Sequence, residues 1–167
     1  MYRYTLLLLT TCLLWGTASA QKYRTAIGVR LSESPGLTVQ QRLAKSFTVE
    51  GMLQFDLKDD NPKTTFTVLG EQHQKLISRR LNVYAGAGLH KGWMNDHDSP
   101  YNNPLGVSLI GGAEVTFGRF NLSFDAKPAF NIYGGDSWID FDTGVSVRYV
   151  LFKAPKKKRN WKFWKRD

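Results

Sequence analysis

The chain has 167 residues, 42% of them hydrophobic, with a formal net charge of +9 and one cysteine. One thiol excludes a disulfide framework, and no apolar run after residue 20 is long enough for a membrane-crossing helix. The charge does not mark a basic domain: Lys153 to Asp167 carries eight Lys or Arg against one Asp, whereas Gln21 to Phe152 carries fourteen basic and thirteen acidic residues.

Residues 1–20, MYRYTLLLLTTCLLWGTASA, read as a cleaved secretory signal peptide: Arg3, an apolar run from Leu6 to Trp15, then Ala18-Ser19-Ala20. Cys12 lies inside it, so a mature chain starting at Gln21 has neither a disulfide nor a thiol nucleophile. From there period-two alternation recurs, broken by turn-formers, and predicts eight strands. They are Tyr23 to Ser32, Leu37 to Leu43, Ser46 to Lys58, Thr64 to His73, Leu81 to Lys91, Leu105 to Phe117, Phe120 to Tyr133 and Trp138 to Phe152. The separators, such as ESPG, DDNPK, GR and GGDS, are rich in Gly, Pro, Asn, Asp and Ser.

Sorting side chains by parity gives two faces. One is apolar throughout, as in Ile27-Val29-Leu31, Val49-Gly51-Leu53, Val107-Leu109-Gly111 and Leu122-Phe124-Ala126. The other carries Arg24, Arg30, Arg42, Glu50, Asp56, Glu71, Glu114, Asp125, Lys127, Asp140, Asp142 and Arg148 among Gly, Ser, Thr, Asn and Gln, together with His90. Alternation alone leaves open a soluble barrel with its apolar side inward around a ligand. Three features favour the inverse. Aromatic residues fall at two levels, Tyr23, Phe47, Phe117, Phe120 and Tyr149 at one and Phe55, Phe66, Phe130 and Phe141 at the other, like interfacial girdles. Both charge signs mix on the polar face, and strands of about ten residues suit a tilted crossing. The expectation is an all-β, eight-stranded antiparallel up-and-down transmembrane barrel over 21–152 with a polar interior, followed by a basic aromatic tail over 153–167. Pro128 interrupts the seventh strand and predicts a bulge or a local bend there.

The signal peptide, the alternating strands, SFDAKPAFN in the penultimate strand and DTGVSVRYVLF in the last resemble the small outer-membrane β-barrel proteins of Gram-negative bacteria, OmpX- or OmpA-like and closest in flavour to the Bacteroidota porin-family barrels. The resemblance covers Gln21 to Phe152. It implies an outer-membrane location, contact with outer-membrane lipid and lipopolysaccharide, and delivery by the barrel-assembly machinery. The last strand's assembly signal would fall on Asp142, Gly144, Val147 and Tyr149. The chain departs from many members by continuing for fifteen basic-rich residues beyond the terminal aromatic.

An eight-stranded barrel has an interior just wide enough for side chains to fill. The charged face therefore predicts a structural network and a non-catalytic barrel without a wide pore. A narrow gated channel along the same residues is one alternative. A lipid A-modifying, deacylase-like enzyme is another, raised by His97 and Ser99 in the long segment HKGWMNDHDSPYNN. That segment also offers Trp93, Met94, His97 and Tyr101 for contact outside the cell. No cofactor, metal or catalytic residue is assigned. The tail, with KKKR beside Trp161, Phe163 and Trp164, fits an anionic lipid or an acidic periplasmic partner rather than nucleic acid, given the compartment.

Overall fold

A computed structural model of the protein describes residues 23–56, 62–78, 80–94, 103–135 and 137–153. The expected signal peptide, nearly all of the basic tail, and His97, Ser99 and Tyr101 lie outside the described residues. The strands are β1 Tyr23–Ser32, β2 Gly36–Arg42, β3 Phe47–Asp56, β4 Lys63–Ser78, β5 Leu81–Met94, β6 Leu105–Phe117, β7 Phe120–Tyr133 and β8 Ile139–Lys153. Each pairs antiparallel with its sequence neighbours, and β8 closes on β1. Among the described strands none is left with an unpaired partner side, so they offer no template for adding another chain. Both ends of the barrel chain, Tyr23 and Lys153, meet at one mouth, here the terminal end; the opposite mouth, bearing the longer connections, is the loop end.

Local chemistry sets these boundaries. The β6–β7 hairpin turns on Gly118 and Arg119, with Gly118 at φ 62°, the left-handed conformation that a two-residue hairpin takes at its first central position. At the other mouth Gly134 and Gly135, at φ 66° and 84°, bend the chain from β7 into β8. β4 runs five residues past the predicted end at His73, since Gln74 and Lys75 continue the ladder to Val83 and Asn82.

Facing is inverted relative to a soluble protein. Among the described residues, twenty polar or charged side chains are buried against eight apolar ones, while Ile27, Val29, Leu109, Phe124 and Leu151 are exposed on the outside. A patch of that extent in water would mark a lipid or protein contact. An apolar ligand cavity inside a soluble barrel does not fit this arrangement. Phe47, Phe117, Phe120 and Tyr149 are exposed near the terminal end and Phe66 and Phe141 near the loop end, where Phe55 and Phe130 are half-exposed and Trp93 and Trp138 add exposed rings.

Two expectations need correction. Tyr23 does not join the girdle and Arg24 does not enter the lumen: Tyr23 is buried and Arg24 exposed. The β1–β8 register shifts twice between Tyr23 and Ala26, so Tyr23 and Ala26 both point inward although three positions apart. A bulge reverses parity for every residue before it. At Pro128, of the bulge or bend expected, the bulge is absent. Its pairing to Phe141 of β8 keeps register, and the β6 ladder instead skips two pairs, resuming from Ser108–Ala129 at Gly111–Ala126. The shift in that ladder comes later, between Leu105 and Gly106.

Candidate functional site

The inward residues form a continuous polar plug. Nearest the terminal end, Glu114 accepts hydrogen bonds from Asn82 Nδ2 at 2.8 Å and Asn121 Nδ2 at 2.9 Å. The Tyr23 hydroxyl lies 2.7 Å from Glu114 Oε2 and 2.5 Å from Gln40 Oε1, joining β1, β2 and β6. His73 stands between two carboxylates, Nε2 3.1 Å from Glu71 and Nδ1 3.3 Å from Glu114, with its ring stacked on Tyr84 at 5.0 Å. Arg42 sits half-exposed at this mouth.

In the middle the Arg148 guanidinium reaches Glu50 Oε1 at 2.5 Å, Ser123 Oγ at 2.7 Å and Thr38 Oγ1 at 3.2 Å. Glu50 also accepts from the Thr38 hydroxyl and from Gln40 Nε2, which lies 3.3 Å from Glu71 as well. Beside this pair Met52, Leu69, Tyr84 and Ile110 fill the β3–β6 side of the lumen with apolar volume. Tyr84 turns its hydroxyl to Asp125 at 2.7 Å. One layer further, Arg30 Nη1 holds Asp125 at 2.5 Å, while its Nε and Nη2 both reach Asp142 Oδ2 at 3.2 Å. Gly144 makes room for that guanidinium: a Cβ there would fall 2.8 Å from Arg30 Cζ. Gln54 donates to Asp142 and accepts from Lys127.

Charges in a low-dielectric interior persist when paired and further hydrogen-bonded, because desolvation otherwise exceeds the Coulomb gain. Arg30, Arg148, Glu50, Glu114 and Asp125 meet that condition here.

Above the Lys127–Asp142 layer the barrel opens into a cavity of about 310 Å³ at the loop end, lined among others by Asp56, Lys63, His90, Ser108, Asn131 and Asp140. Lys63 pairs with Asp140 at 3.7 Å. His90 contacts Ser108 Oγ through Nδ1 and Asn131 Oδ1 through Nε2, each at 2.8 Å, and Asn131 donates to Asp140. This is the order of nucleophile, base and orienting group. Ser108 lines this cavity but has no exposed surface of its own. The trio is a strut across β5, β6 and β7.

The structure thus brings Arg30, Glu50, Glu71, Glu114, Asp125, Lys127, Asp142 and Arg148 into one network, puts Asp56 and Asp140 at the loop mouth, and leaves Arg24 outside. Of the residues expected to form an assembly signal, Asp142 and Gly144 face inward, Val147 and Tyr149 outward. Trp93 is exposed and Met94 half-exposed near the loop end. Sequence parity missed Tyr23, and His73 fell at the predicted end of its strand; continuing the alternation Thr67, Leu69, Glu71, His73 would have placed it in the lumen.

No protein-family model and no curated protein matches the sequence. Among solved structures, the chain is similar to the N-terminal β-barrel domain of Pseudomonas aeruginosa OprF, with a TM-score of 0.60 and 13% identity over 77% of this chain and 97% of that one. It is also similar to Neisserial surface protein A, with a TM-score of 0.54 and 13% identity over 76% and 93%. At these identities the likeness is one of fold: a closed eight-stranded barrel of the outer-membrane type.

Proposed function

We propose that the protein is a non-catalytic barrel of the outer membrane of a Gram-negative bacterium, exported by a cleaved signal peptide, with a structural or surface-interaction role and no wide pore. The observation that carries this reading is the polar plug: three successive layers, centred on Glu114, on Arg148–Glu50 and on Arg30–Asp125–Asp142, cross the lumen between the terminal end and the cavity. A channel needs a path that water can enter. Each layer is spanned by side chains bonded across the barrel, which supports a lumen without such a path. The exposed apolar belt supports the membrane, the fold of the two solved barrels supports the outer membrane, and the barrel-assembly machinery would read Asp142, Gly144, Val147 and Tyr149.

The partners in this reading are outer-membrane lipid and lipopolysaccharide along the belt and at Trp93 and Met94, with an anionic lipid or an acidic periplasmic partner at the tail. Planar-bilayer recording of the folded protein tests it. The reading predicts no conductance steps for the wild type, and sustained steps in wild-type protein would overturn it in favour of the gated channel. The enzyme alternative is tested on host lipid A, whose acylation should be the same with wild type and with His97→Ala.

A further inference from the structure

Exposed charge is sorted along the barrel axis. At the terminal end Arg24, Lys45, Arg80 and Arg119 are exposed, on β1 and on the β2–β3, β4–β5 and β6–β7 turns, while the half-exposed Arg42 and Lys75 pair with the inward Thr48 and Asn82 and so stand on the lumen side of the same mouth. Among the described residues no acid is exposed there; Glu114, the nearest, is buried in the plug. The exposed and half-exposed acids Glu33, Asp56, Asp140 and Asp142 all lie at the loop end, beside Lys63 and Lys91. The near-neutral sum over 21–152 hides this separation, because buried and loop-end carboxylates cancel a rim that is uniformly basic.

The rim's height matters as much as its sign. Its residues sit at the strand ends and turns beside Phe47, Phe117, Phe120 and Tyr149, among the last exposed apolar side chains Leu43, Leu76, Leu151 and Phe152. Arg119 is tied to that level: Nη1 donates to the Tyr149 hydroxyl at 2.9 Å, and the guanidinium lies 5.8 Å from the ring centroid. Aromatic side chains at this position mark the membrane–water interface, so the adjoining cations meet the layer of lipid phosphates. Guanidinium and ammonium groups bind phosphate oxygens by charge-assisted hydrogen bonds.

We propose that the terminal rim is a ring of headgroup contacts selective for anionic phospholipids in the leaflet that surrounds it, independent of the basic tail. It rests on the transmembrane reading above. A ring around the barrel matches a sheet of phosphates on all sides, whereas an acidic protein would need the charges gathered on one flank.

The test is native mass spectrometry of the full mature chain, refolded in detergent micelles and titrated with phosphatidylglycerol or phosphatidylcholine of the same acyl chains. Four proteins are compared: wild type; Arg24→Gln/Lys45→Gln/Arg80→Gln/Arg119→Gln; a turn-only variant, Lys45→Gln/Arg80→Gln, which leaves the strands and the Arg119–Tyr149 contact intact; and a chain with the Lys and Arg of residues 156–166 changed to Gln. The expected result is preferential retention of phosphatidylglycerol by wild type and the tail variant, reduced about fivefold for each rim charge removed. Equal retention of the two lipids by wild type, or a preference lost with the tail and kept without the rim charges, overturns the proposal. So does a wild type that retains neither lipid but binds polyglutamate. A mobility shift on boiling, run on each sample, separates these failures from failure of the barrel reading, since a folded barrel without lipid preference contradicts only the rim.

Discussion

Arg148 and Glu50 show what single side chains contribute. Arg148 is wholly buried, and its guanidinium joins Glu50, Ser123, Thr38 and Asn121 across the lumen. Arg148→Met strands an uncompensated carboxylate, for which we predict a loss of about 3–5 kcal/mol in urea unfolding from micelles. Arg148→Met with Glu50→Leu should lose less than Arg148→Met alone; losses that simply add would contradict the pairing. Glycine gives a second contrast. Gly144→Ala pushes a methyl against the Arg30 guanidinium and should cost about 1–3 kcal/mol, whereas Gly51→Ala, with nothing within 4 Å of the new methyl, should be neutral or stabilising by about 0.4–1 kcal/mol. Measuring both after refolding without the assembly machinery keeps the proposed assembly role of Gly144 out of the comparison. Most of the plug was legible from parity, which places Arg30, Glu50, Glu114 and Asp125 together. Tyr23 and Arg24 were not, because a bulge is a property of two paired strands and leaves no mark in one of them.

Strands were the most legible level. β1, β6 and β7 begin and end where alternation and turn residues put them, and Gly118 sets the β6–β7 hairpin. The β4 extension was missed because Gln74, Lys75 and Leu76 lack alternation, and pairing with β5 overrides that local ambiguity. Pro128 yields a prediction at this scale. It has no N–H, and the β6 ladder lacks the Leu109 and Ile110 pairs beside it. Pro128→Val can restore a bond, and we expect a gain of about 0.5–1.5 kcal/mol in the same unfolding experiment; a loss would mean that the rigid ring itself supports the strand. Facing is tested midway along β7, where Phe124 is 63% exposed. Phe124→Arg should cost about 2–4 kcal/mol in a bilayer, and an unchanged midpoint would contradict a lipid contact there.

At the scale of the whole molecule, one property accounts for the fold: polar groups inside bonded to one another, apolar groups outside. The sequence carried this inversion because a closed sheet of eight strands leaves room inside for side chains and little else. It did not carry the apolar wedge of Met52, Leu69, Tyr84 and Ile110, which shares parity with the charges and is recognised only once β3 to β6 are in register. Nor did it show the sorting of exposed charge between the two mouths, which needs the up-and-down order of the strands. The most direct test of this account is the electrophoretic mobility of the mature protein, extracted in detergent from outer-membrane fractions, with and without boiling. The account predicts recovery in that fraction and a mobility shift on boiling, as a closed barrel opens. Recovery as a soluble periplasmic protein with no shift would contradict it.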